Sequence, residues 1–120
     1  MRTTTSAGKL GEEYALGLLK KNGYRILAQN FYSRFGEIDI VAVDKKDLVF
    51  VEVKTRWSKS FGNPEEAVTP LKLRHLTRAA EYFKLMNPHT PDIMRFDVVA
   101  TDIKDGKVID ARILKNVTGF

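Results

Sequence analysis

The sequence predicts an α/β sandwich with a mixed sheet, its elements ordered αβββαββ. Three observations predict it. Apolar residues recur at helical spacing in two separate stretches, one near the start and one after residue 69. Two Val/Ile-rich runs stand on either side of a short polar turn, the pattern of a β-hairpin. Two further strand-like runs follow the second helical stretch around an Asp-Gly turn.

The first helix spans Gly8 to Asn22, where Leu10, Tyr14, Ala15, Leu18 and Leu19 share a face and Gly23 supplies a stop. Tyr24 to Ala28 is a short strand. Glu37 to Val43 and Leu48 to Lys54 form the hairpin, joined by Asp44-Lys45-Lys46-Asp47. Arg56 to Val68, with Gly62, Asn63 and Pro64, has the composition of an exposed loop. Thr69 is an N-cap and Pro70 the first helical residue of a helix that runs to about Met86, before Asn87-Pro88. Arg95 to Thr101 is a strand, Asp105-Gly106 a turn, and Lys107 to Leu114 a last strand.

The 120 residues fit one domain and one core, with residues 1–7 as a flexible N-terminal arm. Hydrophobic residues make up 43% and charged residues 29%, the balance of a soluble globular chain. The absence of Cys excludes disulfides and thiolate metal sites, and a cytoplasmic setting is expected. No apolar run is long enough to span a bilayer, so no membrane partner is expected. A net charge of +5 and a pI of about 9.5 favour an anionic partner, nucleic acid first, although solubility charge gives the same number. The acids collect instead in apolar strands, where they are expensive to hold.

Alternation along a strand puts residues two apart on one face. A symmetric turn at residues 44–47 then sets Val43 opposite Leu48, Val41 opposite Phe50, Asp39 opposite Glu52 and Glu37 opposite Lys54, all on one face. Two carboxylates facing each other in a partly apolar setting repel, and a divalent cation between them removes the repulsion. Mg²⁺ suits such a site because it takes one or two carboxylates and keeps several waters. The plainer alternative for Glu52-x-Lys54 is a surface ion pair on a strand.

On the first helix, Glu12 falls at the margin of the apolar face and Glu13 on the solvent face; a helix N-terminal acid favoured by the macrodipole explains either equally well. On the second, Lys72 shares a face with Leu76, Ala79 and Phe83 while Arg74 and Arg78 point away, so Lys72 either contacts a phosphate at the site or snorkels to solvent. Arg34, Arg56, Lys59 and Lys72 are the candidate contacts to a nucleic-acid backbone. Trp57 either stacks on an unpaired base or packs under the loop. His75 and His89 lack metal-ligand spacing, no Gly-rich phosphate loop is present, and Asp97 in its apolar strand has the setting of a structural hydrogen-bonding group.

Gly11-Glu12-x-x-Ala15, Gly36-Glu37-Ile38-Asp39, Val51-Glu52-Val53-Lys54-Thr55-Arg56, Ala67-Val68-Thr69 with Lys72, and Arg95-Phe96-Asp97-Val98-Val99 together resemble the YraN family of bacterial proteins. That family is similar to archaeal Holliday-junction resolvases and falls in the PD-(D/E)XK nuclease superfamily. The resemblance runs from about Gly8 to Leu114; Ile38 stands where the superfamily's name-giving proline would be.

The resemblance implies a restriction-endonuclease-like αβββαβ core, a mixed central sheet flanked by helices, with residues 8–120 as a single nuclease-like domain. It implies that Asp39 and Glu52 hold Mg²⁺, or Mn²⁺ as a substitute, with the backbone carbonyl of Val53. Lys54 would position or activate the attacking water, and Glu12 would complete the acidic cluster as a further ligand. The implied activity is Mg²⁺-dependent endonuclease cleavage, of structure-specific DNA in repair or recombination, with a homodimer expected by analogy to the resolvases. The alternative is a nucleic-acid-binding module of the same fold that has lost catalysis.

Overall fold

Each helix buries one stripe and each strand of the hairpin is apolar on both faces, so the sheet must lie between two helices. The computed structural model has this arrangement. It describes residues 6–57 and 69–118, with side chains from Gly8 onward. The elements are α1 (Ser6–Lys21), β1 (Arg25–Ser33), β2 (Gly36–Asp44), β3 (Asp47–Trp57), α2 (Pro70–Met86), β4 (Ile93–Lys104) and β5 (Lys107–Leu114). They form a five-stranded mixed sheet in the order β1-β2-β3-β4-β5. Only β3 and β4 run parallel, because α2 carries the chain back between them. Among the described residues no helix is long and apolar enough to cross a membrane.

Alternate residues of β2 and β3 serve the two helices. Val41, Val43, Leu48 and Phe50 pack with Leu76, Ala79, Ala80 and Phe83 of α2. Ile40, Ala42, Val49 and Val51 pack with Ala15 and Leu19 of α1. The sheet thus has an α2 face and an α1 face. Gly11 lets α1 settle on the second face: a Cβ there would run into Thr55 Oγ1 and come within 2.8 Å of Thr101 Oγ1. Thr69 caps α2 as expected, its hydroxyl accepting the Lys72 amide at 3.2 Å.

Strands β1 to β4 are all longer than the sequence predicts, and β3 runs on through Arg56 and Trp57, which the sequence assigns to an exposed loop. β1 continues five residues past Ala28, through Asn30 in the left-handed region (φ 52), and turns at Arg34-Phe35 into β2. Asn tolerates that conformation, so polar residues that resemble a loop stay within the ladder. β4 begins at Ile93 and runs to Lys104.

The turn end of the hairpin is held by charge. Arg95 donates to Asp44 (2.6 Å), Asp47 (2.6 Å) and Asp97 (3.0 Å). Asp97 also accepts the Tyr24 hydroxyl (2.7 Å) and the Asn116 amide (2.9 Å), the structural role its apolar strand predicts. Burial alone would raise the Asp44 carboxyl, but hydrogen bonds from Arg95 and Lys115 outweigh it and hold the group below its ordinary 3.8. Burial, then the hydrogen bond to Asp97, holds the Tyr24 hydroxyl well above its ordinary 10.0.

Removing Arg95 would leave three carboxylates together. Arg95→Ala is expected to cost about 3–5 kcal/mol in urea unfolding. The pH dependence has two signs. Asp44, depressed, contributes stability that is present above its unfolded value and lost as pH falls through its folded value; Tyr24, raised, contributes stability present below its unfolded value and lost as pH climbs through its folded value. Melting temperature should therefore be flat from about pH 5 to 9 and drop on both flanks. Tyr24→Phe should flatten the alkaline flank alone; an unaltered flank would assign that loss to other groups.

Candidate active site

Hairpin register decides which carboxylates meet. Pairing runs Asp44↔Asp47, Val43↔Leu48, Val41↔Phe50 and Ile40↔Val51, the register a symmetric turn imposes. The ladder stops there, one step short of Asp39 and Glu52. At that step Asp39 Oδ2 accepts the Val53 amide N–H at 2.9 Å. The two acidic residues are therefore neighbours across the open end of the hairpin.

Asp39 departs from simple alternation. Ile38 packs with Val41 on the α2 face, whereas Ile40 packs on the α1 face. Strict alternation would put Ile38 with Ile40, so the strand changes phase by one residue at Asp39. Its opposite number is Asn30, which lies between the pairs Gln29↔Ile40 and Phe31↔Ile38 with its positive φ. A strand amide lies near the plane of the sheet. The Asp39 carboxylate, bonded to one, turns along the sheet instead of standing off the α2 face. It is 8% exposed.

Glu52 keeps the expected side. Its carboxylate meets the Lys72 ammonium from the first turn of α2. Of the two readings of Lys72, the structure has it facing the sheet, against an acid of the site. Lys54 is exposed two residues on, in line with Ala100 of β4.

One expectation is corrected. Arg56 is not poised at the surface for a phosphate: it is buried and gives Nε to Asp102 Oδ1 (2.9 Å) and Nη2 to Asp102 Oδ2 (3.3 Å). Its partner lies directly across the parallel β3–β4 ladder, and a buried guanidinium needs such a match. Among the described residues no three of His, Cys, Asp and Glu gather as a metal-holding group. Glu12 rides on α1 and lines a small cleft with Lys9, Glu13, Leu16, Gln29 and Asn30, the last of these opposite Asp39. Arg34 is exposed in the β1–β2 turn and Trp57 is 64% exposed at the end of β3. Lys59 lies outside the described residues.

The donor set suits a hard cation of modest demands. Mg²⁺ takes one or two carboxylates and completes its shell with water and substrate oxygens, so Asp39 and Glu52 suffice without a protein cage. Lys72 already places one cation against Glu52. Sequence reasoning missed the Arg56–Asp102 pair and a cleft formed by Tyr32, Ser33, Arg34, Phe35, Arg78, Glu81, Tyr82 and Leu85. The cleft joins a hairpin turn to a distant helix, and no local pattern marks it.

Asp39 permits a test that separates charge from hydrogen bonding. Asn keeps an oxygen for the Val53 amide and Ala does not. Asp39→Asn should leave the metal-free melting temperature close to wild type, and Asp39→Ala should cost about 1–3 kcal/mol for the orphaned amide. Both should lose any thermal shift produced by Mg²⁺ or Mn²⁺. An undiminished metal shift in both would remove Asp39 from the site.

The model of the uncharacterised protein family UPF0102, the YraN family, matches residues 11–101. A UPF0102 protein of Caldicellulosiruptor saccharolyticus is 48% identical over 111 residues, covering 91% of this chain and 93% of the relative. One from Syntrophomonas wolfei is 48% identical over 100 residues (83% and 87%). One from Mycolicibacterium vanbaalenii is 40% identical over 110 residues (92% and 91%).

Proposed function

Since the chain belongs to the uncharacterised protein family UPF0102, we propose that it is a metal-dependent endonuclease hydrolysing nucleic-acid phosphodiester bonds, with structure-specific DNA as its substrate class. The observation that carries this is the meeting of Asp39 and Glu52 at the open end of the hairpin, with Lys54 two residues beyond Glu52. A mixed sheet between two helices is compatible with an endonuclease-like core.

A phosphodiester is anionic, and two bare carboxylates would repel it. A bound Mg²⁺ would neutralise them, polarise a phosphoryl oxygen and make water a better nucleophile. Asp39 and Glu52 would hold that ion, Asp39 kept in place by the Val53 amide. Lys54, exposed on β3, stabilises negative charge that develops on the phosphate. Lys72 neutralises Glu52 from a flexible stem and can turn to a phosphate oxygen when the substrate arrives.

The ion pair that already engages Glu52 with Lys72 favours a second reading, a nucleic-acid-binding module of the same fold without catalysis.

One experiment decides between them: cleavage in Mg²⁺ or Mn²⁺ over branched, flapped, single-stranded and duplex DNA and RNA, beside equilibrium binding in Ca²⁺. The nuclease should cleave at least one substrate. Lys54→Ala should slow single-turnover cleavage by about 10²–10³ with little loss of affinity, because it acts on transition-state charge. Binding without cleavage across the whole screen would leave the binding module standing. Equal cleavage by Lys54→Ala would remove Lys54 from the mechanism.

A further inference from the structure

The cleft between the β1–β2 turn and α2 lies apart from the carboxylates. It has a volume of about 790 Å³, within the ~300–1,000 Å³ range of small-ligand sites. One wall is the hairpin turn, with Tyr32, Ser33, Arg34 and Phe35; the other is α2, with Arg78, Glu81, Tyr82 and Leu85. Gly36, at φ +139, lets the chain leave that turn in a conformation other residues rarely adopt, beside His75 of α2.

The lining has a particular chemistry. Tyr32 is 54% exposed and Tyr82 38% exposed, so both rings offer surface to a ligand. Tyr82 is braced by Phe31 (ring centroids 6.2 Å) and Phe35 (6.3 Å), which fixes its ring without covering it. Arg34 lies over the Phe35 ring at 4.9 Å. Two guanidinium groups against one carboxylate leave the cleft net positive. Aromatic faces beside arginines are what an unstacked base and its phosphates require, whereas a duplex keeps its bases stacked and presents phosphate alone.

The location joins it to the carboxylates. Lys72, at Glu52, stands on the sheet-facing side of the first turn of α2, and Arg74, Arg78 and Tyr82 follow on the outer side of the same helix. At 1.5 Å per residue, Arg78 stands ~9 Å and Tyr82 ~15 Å further along the helix axis. Measured along the helix axis alone, the cleft lies within a few nucleotides of Lys72.

We propose that the cleft of Tyr32, Arg34, Phe35, Arg78 and Tyr82 binds an unpaired nucleotide of single-stranded nucleic acid. The proposal rests on the nucleic-acid reading of the protein but not on catalysis. The ligand is a flat base stacked on a tyrosine ring with a flanking phosphate on Arg78 or Arg34. It gives the enzyme a preference for substrates with a single-stranded segment beside the cut.

The test uses the full chain in EDTA, with labelled single-stranded oligonucleotides of thymidine or uridine and an equal-length blunt duplex. Tyr32→Ala and Tyr82→Ala should each weaken single-strand binding by about 5- to 150-fold and leave duplex binding unchanged. Tyr82→Phe keeps the ring and should bind as wild type. Arg78→Gln should flatten the salt dependence on single strands by about 0.7 in log–log slope. Photo-crosslinks from 5-iodouracil, located by mass spectrometry, should fall on Tyr32 or Tyr82. The DNA and RNA arms tell which sugar is preferred. Glu52→Gln, expected to lose cleavage, should keep single-strand binding. Unchanged single-strand affinity in the folded Tyr32→Ala and Arg78→Gln variants, or crosslinks confined to other residues, would overturn the site. So would a dimer in light scattering that Tyr32→Ala dissociates, since the cleft would then be an interface between two copies. If wild type never cleaves but these variants still lose single-strand binding, the cleft stands and the nuclease reading falls.

Discussion

Arg95 is bonded at once to Asp44 and Asp47, on either side of the β2–β3 turn, and to Asp97 on its own strand. The rest of the molecule's geometry follows from that contact. A hairpin slipped by one residue would move its apolar set to the wrong face. Arg95 closes on both ends of one particular turn, so only the register Asp44↔Asp47 satisfies it. The same side chain belongs to β4 and fixes the parallel partner alongside β3. Planar, forked and permanently charged, a guanidinium can bridge several carboxylates in one fixed geometry. Two strand pairings are thereby tied to one residue, and Arg56–Asp102 repeats the device further along the same β3–β4 ladder.

Register at the turn propagates along the strands and places Asp39 beside Glu52 about five residues away, ~17 Å at strand rise. What happens there is decided locally. Asn30 takes a left-handed conformation in β1, and β2 changes phase at the residue across from it. This turns one carboxylate into the sheet plane, where the Val53 amide holds it. Glu52, still in phase with Phe50, faces α2 and Lys72. The two acids occupy neighbouring positions but point in different directions, which lessens the crowding that direct opposition on one face would bring.

Much of this was legible because short-range rules govern it. Thr69-Pro70 marked the start of α2, and the 44–47 turn gave the hairpin register residue by residue. Helical periodicity set Lys72 toward the sheet and Arg78 away from it, and the structure agrees. Glu12 sits at the margin of its helix, as periodicity says, half-buried beside Asn30. The failures share a cause. Gln29 and Asn30 resemble loop residues, and only pairing with β2 keeps them in a strand. Arg56 opens the stretch read as an exposed loop and so reads as a surface cation; the strand continues through it, and its partner Asp102 is brought alongside by a parallel crossover that no local pattern encodes. The Tyr32–Tyr82 cleft needs the same kind of information.

The two acidic ends of the hairpin differ in one chemical respect. At the turn, Asp44, Asp47 and Asp97 are satisfied by an arginine whose side chain is 12% exposed and whose proton is held more tightly than usual by those same carboxylates. At the open end, Glu52 is matched by a lysine that is 40% exposed on a flexible stem. An arginine fork buried among three acids cannot leave without stranding them, so that end is permanent. A partly solvated ammonium with three rotatable donors gives up its place at little cost, because water and a phosphate oxygen serve it as well. A carboxylate pair whose counterion is built to leave has the property expected of a site that exchanges cations. A pair locked by arginine has the property expected of a scaffold. The sequence spends its arginine where register must not change and its lysine where charge must.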